Sequence, residues 1–181
     1  MIAEQGDGEV VSAGAFPGRA PALAEKLVKS LTGRKETICA AESCTAGLAA
    51  DFIARVPGAS LVFWGSFVSY TADAKNKMLG IPLELIEKHG AVSSPVALAM
   101  AEGALEKSGA SWAFSVTGLA GPTGDGGDIP VGTVWIGTAR RESRSAPSSD
   151  AKKFFFRGPR NELREAAAAA ALEEILKKIL T

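Results

Sequence analysis

Three side chains able to attack, donate or cap stand together in the run Thr37-Ile38-Cys39-Ala40-Ala41-Glu42-Ser43-Cys44-Thr45-Ala46-Gly47-Leu48-Ala49-Ala50. The run reads as a short buried strand that breaks on small polar residues and restarts as an apolar helix. That layout sets Ser43, Cys44 and Thr45 beside a helix N-terminus, where unpaired N–H groups and the helix dipole favour an anion or a developing oxyanion. A hydroxyl there can be a cap, a phosphate ligand or a nucleophile. Capping is the ordinary role of an isolated Ser before a helix, but this cluster is denser in hydroxyls than capping requires.

A Ser nucleophile needs a base. The one histidine, His89, precedes Gly90 at an apparent helix end, where a His more often complements the helix dipole than catalyses. Lysine is the better candidate. Tyr70 ends an apolar strand, and Lys75 follows five residues later on the same helical face as Leu79, so its stem should run along the core. Burial would lower its pKa, and moving it from about 10.4 to near 7 corresponds to about 4–5 kcal/mol against the ammonium form. A neutral Lys75 could then take the Ser43 proton, with the Tyr70 hydroxyl relaying or orienting it. The blander reading is a surface lysine near a strand-end tyrosine. Cys44 is an alternative nucleophile, although a small buried thiol is its more ordinary role.

A second polar constellation is the glycine loop Thr117-Gly118-Leu119-Ala120-Gly121-Pro122-Thr123-Gly124-Asp125-Gly126-Gly127-Asp128. It lacks the Gly-Lys-Ser/Thr ending of a phosphate-binding P-loop and is not a dinucleotide fingerprint. Its glycines still allow close backbone approach to an anion or ring, and a flexible connection explains them equally well. Asp125 and Asp128 could hold a hydrated Mg²⁺, but two acids in a loop are usually solvated, and no metal or cofactor is expected. Arg157, Arg160 and Arg164 surround a helix start near the C-terminus. Their planar forks suit phosphate or carboxylate, and Arg160 and Arg164 stand one turn apart.

The elements that must position these groups follow from periodicity and breakers. Residues 1–20, rich in Gly, Ala and Pro, read as a flexible arm, and residues 21–181 as a single domain. Helices are expected from Pro21 to about Leu31, Thr45 to Arg55, Thr71 to Leu79, Leu83 to His89, Ser94 to Lys107, and from Asn161 onward. Strands are expected at Thr37–Ala41, Leu61–Tyr70, Ser111–Val116, Val131–Thr138 and Lys152–Arg157. The second is apolar enough to be central, the last is an edge, and Ser143–Asp150 is a polar turn. Helices and strands alternate early and hairpin-like strands come late. This implies an α/β fold, a three-layer αβα sandwich with a mixed, mostly parallel sheet. Ligands of such sheets sit off the carboxyl ends of the strands, where both polar loops fall.

Bulk composition narrows the classes. The chain has 181 residues, 46% hydrophobic and 22% charged, ordinary values that argue against global disorder. Acidic and basic residues balance at 20 each, without a basic stripe, so nucleic acid is not the expected partner. No apolar run approaches the roughly 18 residues that span a bilayer, and residues 1–20 lack a secretion signal, so a soluble cytoplasmic protein is expected. The edge strand and an Ala-rich helix need cover, which points to a homo-oligomer.

Taken together, ordered segments carry a resemblance. They are Ala41-Glu42-Ser43-Cys44-Thr45-Ala46-Gly47, Ser69-Tyr70 with Lys75 and Leu79-Gly80, Gly90-Ala91-Val92-Ser93, Ser115-Val116-Thr117-Gly118-Leu119-Ala120-Gly121-Pro122, and Pro130-Val131-Gly132-Thr133-Val134. The chain strongly resembles the C-terminal domain of the competence/damage-inducible protein CinA in its stand-alone form, over about residues 20–180. The resemblance implies a nicotinamide mononucleotide amidohydrolase of pyridine nucleotide salvage, with Ser43 as nucleophile and Tyr70 and Lys75 assisting. On that reading the substrate site is expected to draw on Glu42, Cys44, Thr45, Ala46 and Gly47 on one loop, Thr117, Gly118 and Gly121 on the other, and Arg160. The alternative is a non-catalytic nucleotide- or phosphate-binding module. Two positions depart from the family pattern: Ala46 replaces the first glycine of Thr-Gly-Gly, and Pro159 replaces the acid of Gly-Asp-Arg.

Overall fold

The computed structural model describes residues 9–12, 18–124, 126–142 and 146–181. Its elements, in chain order, are β1 (Glu9–Ser12), α1 (Arg19–Arg34), β2 (Ile38–Glu42), α2 (Leu48–Ala54), β3 (Phe63–Val68), α3 (Ala72–Leu79), α4 (Leu83–His89), α5 (Ser94–Ser108), β4 (Trp112–Gly118), β5 (Thr133–Arg140), β6 (Ser148–Arg157) and α6 (Arg160–Leu180). The strands form one sheet in the order β1-β6-β5-β4-β2-β3. The pairs β1–β6, β4–β2 and β2–β3 are parallel, and β4–β5 and β5–β6 are antiparallel. The sheet is therefore mixed and mostly parallel.

Alternation along the strands builds a core on each face of the sheet. Ile38, Ala40, Phe114, Val116, Phe154 and Phe156 pack under α1, α2 and α6, where the run Ala166–Ala171 is buried throughout. Six small residues let this helix lie close to the sheet and to α1. Cys39, Ala41, Ala113 and Ala139 face the other way, against α3, α4 and α5. These are the three expected layers. No described helix is long and apolar enough to cross a membrane.

Three expectations are overturned. Within the supposed arm, Glu9–Ser12 is a strand paired with Phe154–Arg157; the rest of residues 1–17 lies outside the described residues. β6 consequently is not an edge, and it begins at Ser148, inside the expected turn. β3, expected at the centre, is the edge instead: among the described strands it pairs only with β2, and Trp64, Val68 and Tyr70 are exposed. Apolar content marked the segment as strand, but strand order is decided by which crossover reaches β2 from either side. The grounds given for an oligomer also change, since β1 covers the supposed edge and the Ala-rich helices are buried by the chain's own sheet.

Candidate active site

β2 is buried along its whole length, and its end is the centre of the site. Glu42 turns its side chain toward the following helix. Its carboxylate accepts from the N–H groups of Gly47 (3.0 Å), Ala49 (3.1 Å) and Ala50 (2.9 Å), and from the Ser66 hydroxyl (3.1 Å). Helix α2 thus begins at Leu48, later than expected, and the donors of its first turn are already taken by a carboxylate of the same chain. An external anion does not sit there. Between Glu42 and α2 the chain reverses through Ala46 (φ 52°) and Gly47 (φ 93°), both left-handed. The position where the family pattern carries glycine therefore does require positive φ, and here an alanine accepts it at a cost of about 1–2 kcal/mol.

Ser43 is fixed by this loop and by its N–H, which donates to the Val116 carbonyl at 2.9 Å. Its hydroxyl meets Lys75 Nζ at 2.9 Å, and the same nitrogen donates to the Ser69 carbonyl at 2.9 Å. Lys75 belongs to α3, whose N-terminus is capped by Thr71 Oγ1, accepting from the Ala74 N–H. Only 1% of Lys75 is exposed. Burial pulls its pKa from an ordinary 10.5 down to about 8. A nitrogen with that pKa, touching a hydroxyl, holds a usable fraction of free amine near neutrality and can accept the hydroxyl proton. Cys44 does not compete with Ser43, because burial pushes its thiol up to about 12.

Tyr70 is half exposed and stands at the rim. Its hydroxyl accepts from Arg160 Nη2 at 2.9 Å, and among the described residues no hydrogen bond joins it to Ser43 or Lys75. Lys75 reaches Ser43 directly, with no Tyr70 hydroxyl between them. Arg160 also donates through Nη1 to the Gly121 carbonyl, so one guanidinium ties the glycine loop to the end of β3. It does so from the first residue of α6, behind Pro159, which offers no side-chain cap.

Thr117 is buried at the end of β4, its hydroxyl donating to the Ala91 carbonyl at 2.8 Å. Gly118 has a packing reason to be glycine, because a Cβ there would lie 2.9 Å from the Thr133 carbonyl oxygen. Gly121 adopts φ 72°, and its Cβ would meet Val131 Cγ1 at 2.6 Å. Asp125 lies outside the described residues, and Asp128 is exposed. Among the described residues no three His, Cys, Asp or Glu side chains gather in a metal-binding group. His89 is on the exposed last turn of α4.

Arg164 is the residue whose role the sequence reading missed. Rather than facing a ligand beside Arg160, it donates from Nε to the Cys44 carbonyl (3.0 Å) and from Nη2 to the Thr45 carbonyl (2.9 Å). The one-turn spacing of the two arginines was the available signal. Its targets, being backbone, left no trace in the sequence.

The model of the CinA C-terminal domain family matches residues 20–179. The chain belongs to that family. Two relatives, both described as CinA-like protein, come from Anaeromyxobacter sp. (44% identical over 151 residues, covering 83% of this chain and 36% of the relative) and Chlorobaculum tepidum (42% over 157 residues, covering 87% and 37%). The chain spans a little over a third of those CinA-like proteins. The crystal structure of the competence/damage inducible protein CihA from Agrobacterium tumefaciens superposes with a TM-score of 0.82 at 38% identity, covering 92% of this chain and 98% of that one. A CinA superfamily protein from Escherichia coli gives 0.82 at 28% identity, covering 88% and 90%.

Proposed function

We propose that this CinA-family protein is a Ser/Lys amidohydrolase that converts nicotinamide mononucleotide and water into nicotinic acid mononucleotide and ammonia. The observation that carries the reading is the 2.9 Å contact between the Ser43 hydroxyl and a fully buried Lys75 with a lowered pKa. The choice of nucleotide rests on the family resemblance of the ordered motifs.

Neutral Lys75 Nζ accepts the Ser43 proton as Oγ attacks the carboxamide carbon. The C=O electrons move onto oxygen, and the resulting oxyanion is met by backbone N–H groups of the Ser43–Thr45 loop. The Ser43 N–H is engaged by Val116, whereas those of Cys44 and Thr45 donate to no backbone carbonyl among the described residues. One such donor contributes about 3–4 kcal/mol to the transition state. Collapse of the intermediate breaks the C–N bond, and protonated Nζ delivers its proton to the leaving nitrogen, releasing ammonia. Water then attacks the acyl ester with Nζ again as base, the proton returns to Oγ, and the carboxylate leaves. Thr117, Gly118, Gly121 and Arg160, with Tyr70 at the rim, grip the ribose phosphate.

Ammonia release from nicotinamide mononucleotide tests this, with Ser43→Ala beside the wild type. Release that vanishes in the variant is expected. Equal release from both proteins sinks the mechanism. A folded wild type that binds the nucleotide and releases nothing replaces the amidase with a nucleotide-binding module.

A further inference from the structure

We infer that Arg164 is a positioning residue that aims the Thr45 N–H into the oxyanion site; this deepens the amidohydrolase reading and rests on it. In a planar trans peptide the C=O and N–H point in opposite directions. The Cys44 carbonyl belongs to the same peptide as the Thr45 N–H, and Arg164 Nε holds that carbonyl at 3.0 Å from the α6 side of the sheet. The Thr45 N–H must then point away from α6. That is the side of α3, where Ser43 Oγ meets Lys75 Nζ.

The next peptide is fixed as well. The Thr45 carbonyl accepts from Arg164 Nη2 at 2.9 Å and from the Leu48 N–H at 3.2 Å, while the Ala46 N–H returns to the Ser43 carbonyl at 3.0 Å. Two parallel donors from one rigid fork therefore define the orientation of two successive peptide planes, something a single lysine ammonium cannot reproduce. A cation on the carbonyl end also polarises the peptide, strengthening the N–H at its other end. Arg164 itself is half-buried and touches neither Ser43 nor Lys75 among the described hydrogen bonds, so it acts through the backbone. Glu42 anchors the far end of the same loop, at Gly47, and cannot substitute for this contact.

The test uses the full chain carrying Arg164→Lys or Arg164→Met, with folding checked by thermal melting. Two rates are measured: ammonia release from nicotinamide mononucleotide, and labelling of Ser43 by a fluorophosphonate. In the labelling, Ser43 Oγ displaces fluoride and the phosphoryl oxygen occupies the oxyanion position. We expect kcat and the labelling rate each to fall about 100-fold, the cost of losing one oxyanion donor. KM should stay within about threefold, and the pH limb set by Lys75 should not move. A folded variant that labels at the wild-type rate overturns the inference. So does a loss confined to KM. Wild-type protein that labels yet releases no ammonia removes the amidase reading, and slower labelling of the variants still upholds the role of Arg164. Wild-type Ser43 that reacts in neither assay overturns both. If Arg164→Met does not fold, Arg164→Lys, which keeps the charge and the stem, decides alone.

Discussion

The two loops that leave the carboxyl ends of β2 and β4 are built on opposite plans. The β2 loop, Ser43–Gly47, is held by side chains from three other elements: Arg164 on α6, Lys75 on α3, and Ser66 on β3 acting through Glu42. The β4 loop is tied at its base, where the Leu119 N–H meets the Thr133 carbonyl and the Gly132 N–H meets the Leu119 carbonyl. Beyond that, Arg160 holds Gly121, and Pro122 to Gly124 are exposed. A reacting hydroxyl needs its geometry fixed before substrate arrives, whereas a loop that grips a flexible phosphoribosyl group can take its shape from the ligand. On the amidohydrolase reading, the β2 loop would serve the chemistry and the β4 loop would accommodate the substrate.

The largest test of that division is Lys75→Met. Turnover should fall by about 10²–10⁴-fold for loss of the base, while the folded protein becomes more stable at neutral pH. Lys75 is destabilising there: below about 8 it is protonated in both folded and unfolded chains, and the folded chain must bury the ammonium. The shift from 10.5 to about 8 is worth about 3 kcal/mol, of which lost hydrogen bonds to Ser43 and Ser69 offset about 1 kcal/mol. The expected gain of about 2 kcal/mol in denaturant unfolding should be present below pH 8 and shrink as pH rises toward 10.5, where the wild type no longer carries the penalty. Wild-type turnover should rise with pH through about 8 as the free amine forms. A flat profile would remove Lys75 as the base.

Next in size is Glu42→Gln. The amide would turn an NH2 toward donors that now meet a carboxylate, and should destabilise by about 2–3 kcal/mol, with kcat falling because the Ser43 loop loosens. Ala46→Gly sharpens the comparison from the other direction. Relieving a left-handed alanine should stabilise by about 1 kcal/mol and leave KM unchanged. The smallest effect belongs to the β4 loop. Gly124 has no positive φ, and an added Cβ would come no closer than 3.9 Å to the nearest backbone atom. Gly124→Ala should therefore change stability by under about 0.5 kcal/mol and act on KM alone. A large fall in kcat would show that the two loops are not divided as described.

The Ser43–Lys75 pair was legible in the sequence because both partners sit on regular elements: a strand end, and a helix whose core face is marked by Leu79. The three layers were legible for the same reason of periodicity. What remained hidden depended on backbone atoms or on distant pairing. Glu42 reads as a ligand-binding acid, yet its partners are N–H groups that every residue carries. Arg164 binds carbonyls for which no sequence signal exists. Tyr70 lies five residues before Lys75 in the sequence, but its hydroxyl turns toward Arg160 at the start of α6. The edge position of β3 followed from crossover order, to which its apolar content is blind.

The pairing of Glu9 with Phe154 joins residues 145 positions apart. During synthesis β1 therefore has no partner until β6 has been made, a wait of roughly 7–30 s at about 5–20 residues per second. Contacts of such long sequence separation are also the slowest to form by diffusion of the chain. The sheet is thus completed by a segment synthesised well before its partner, and until it docks, the backbone of β6 is as open as that of β3.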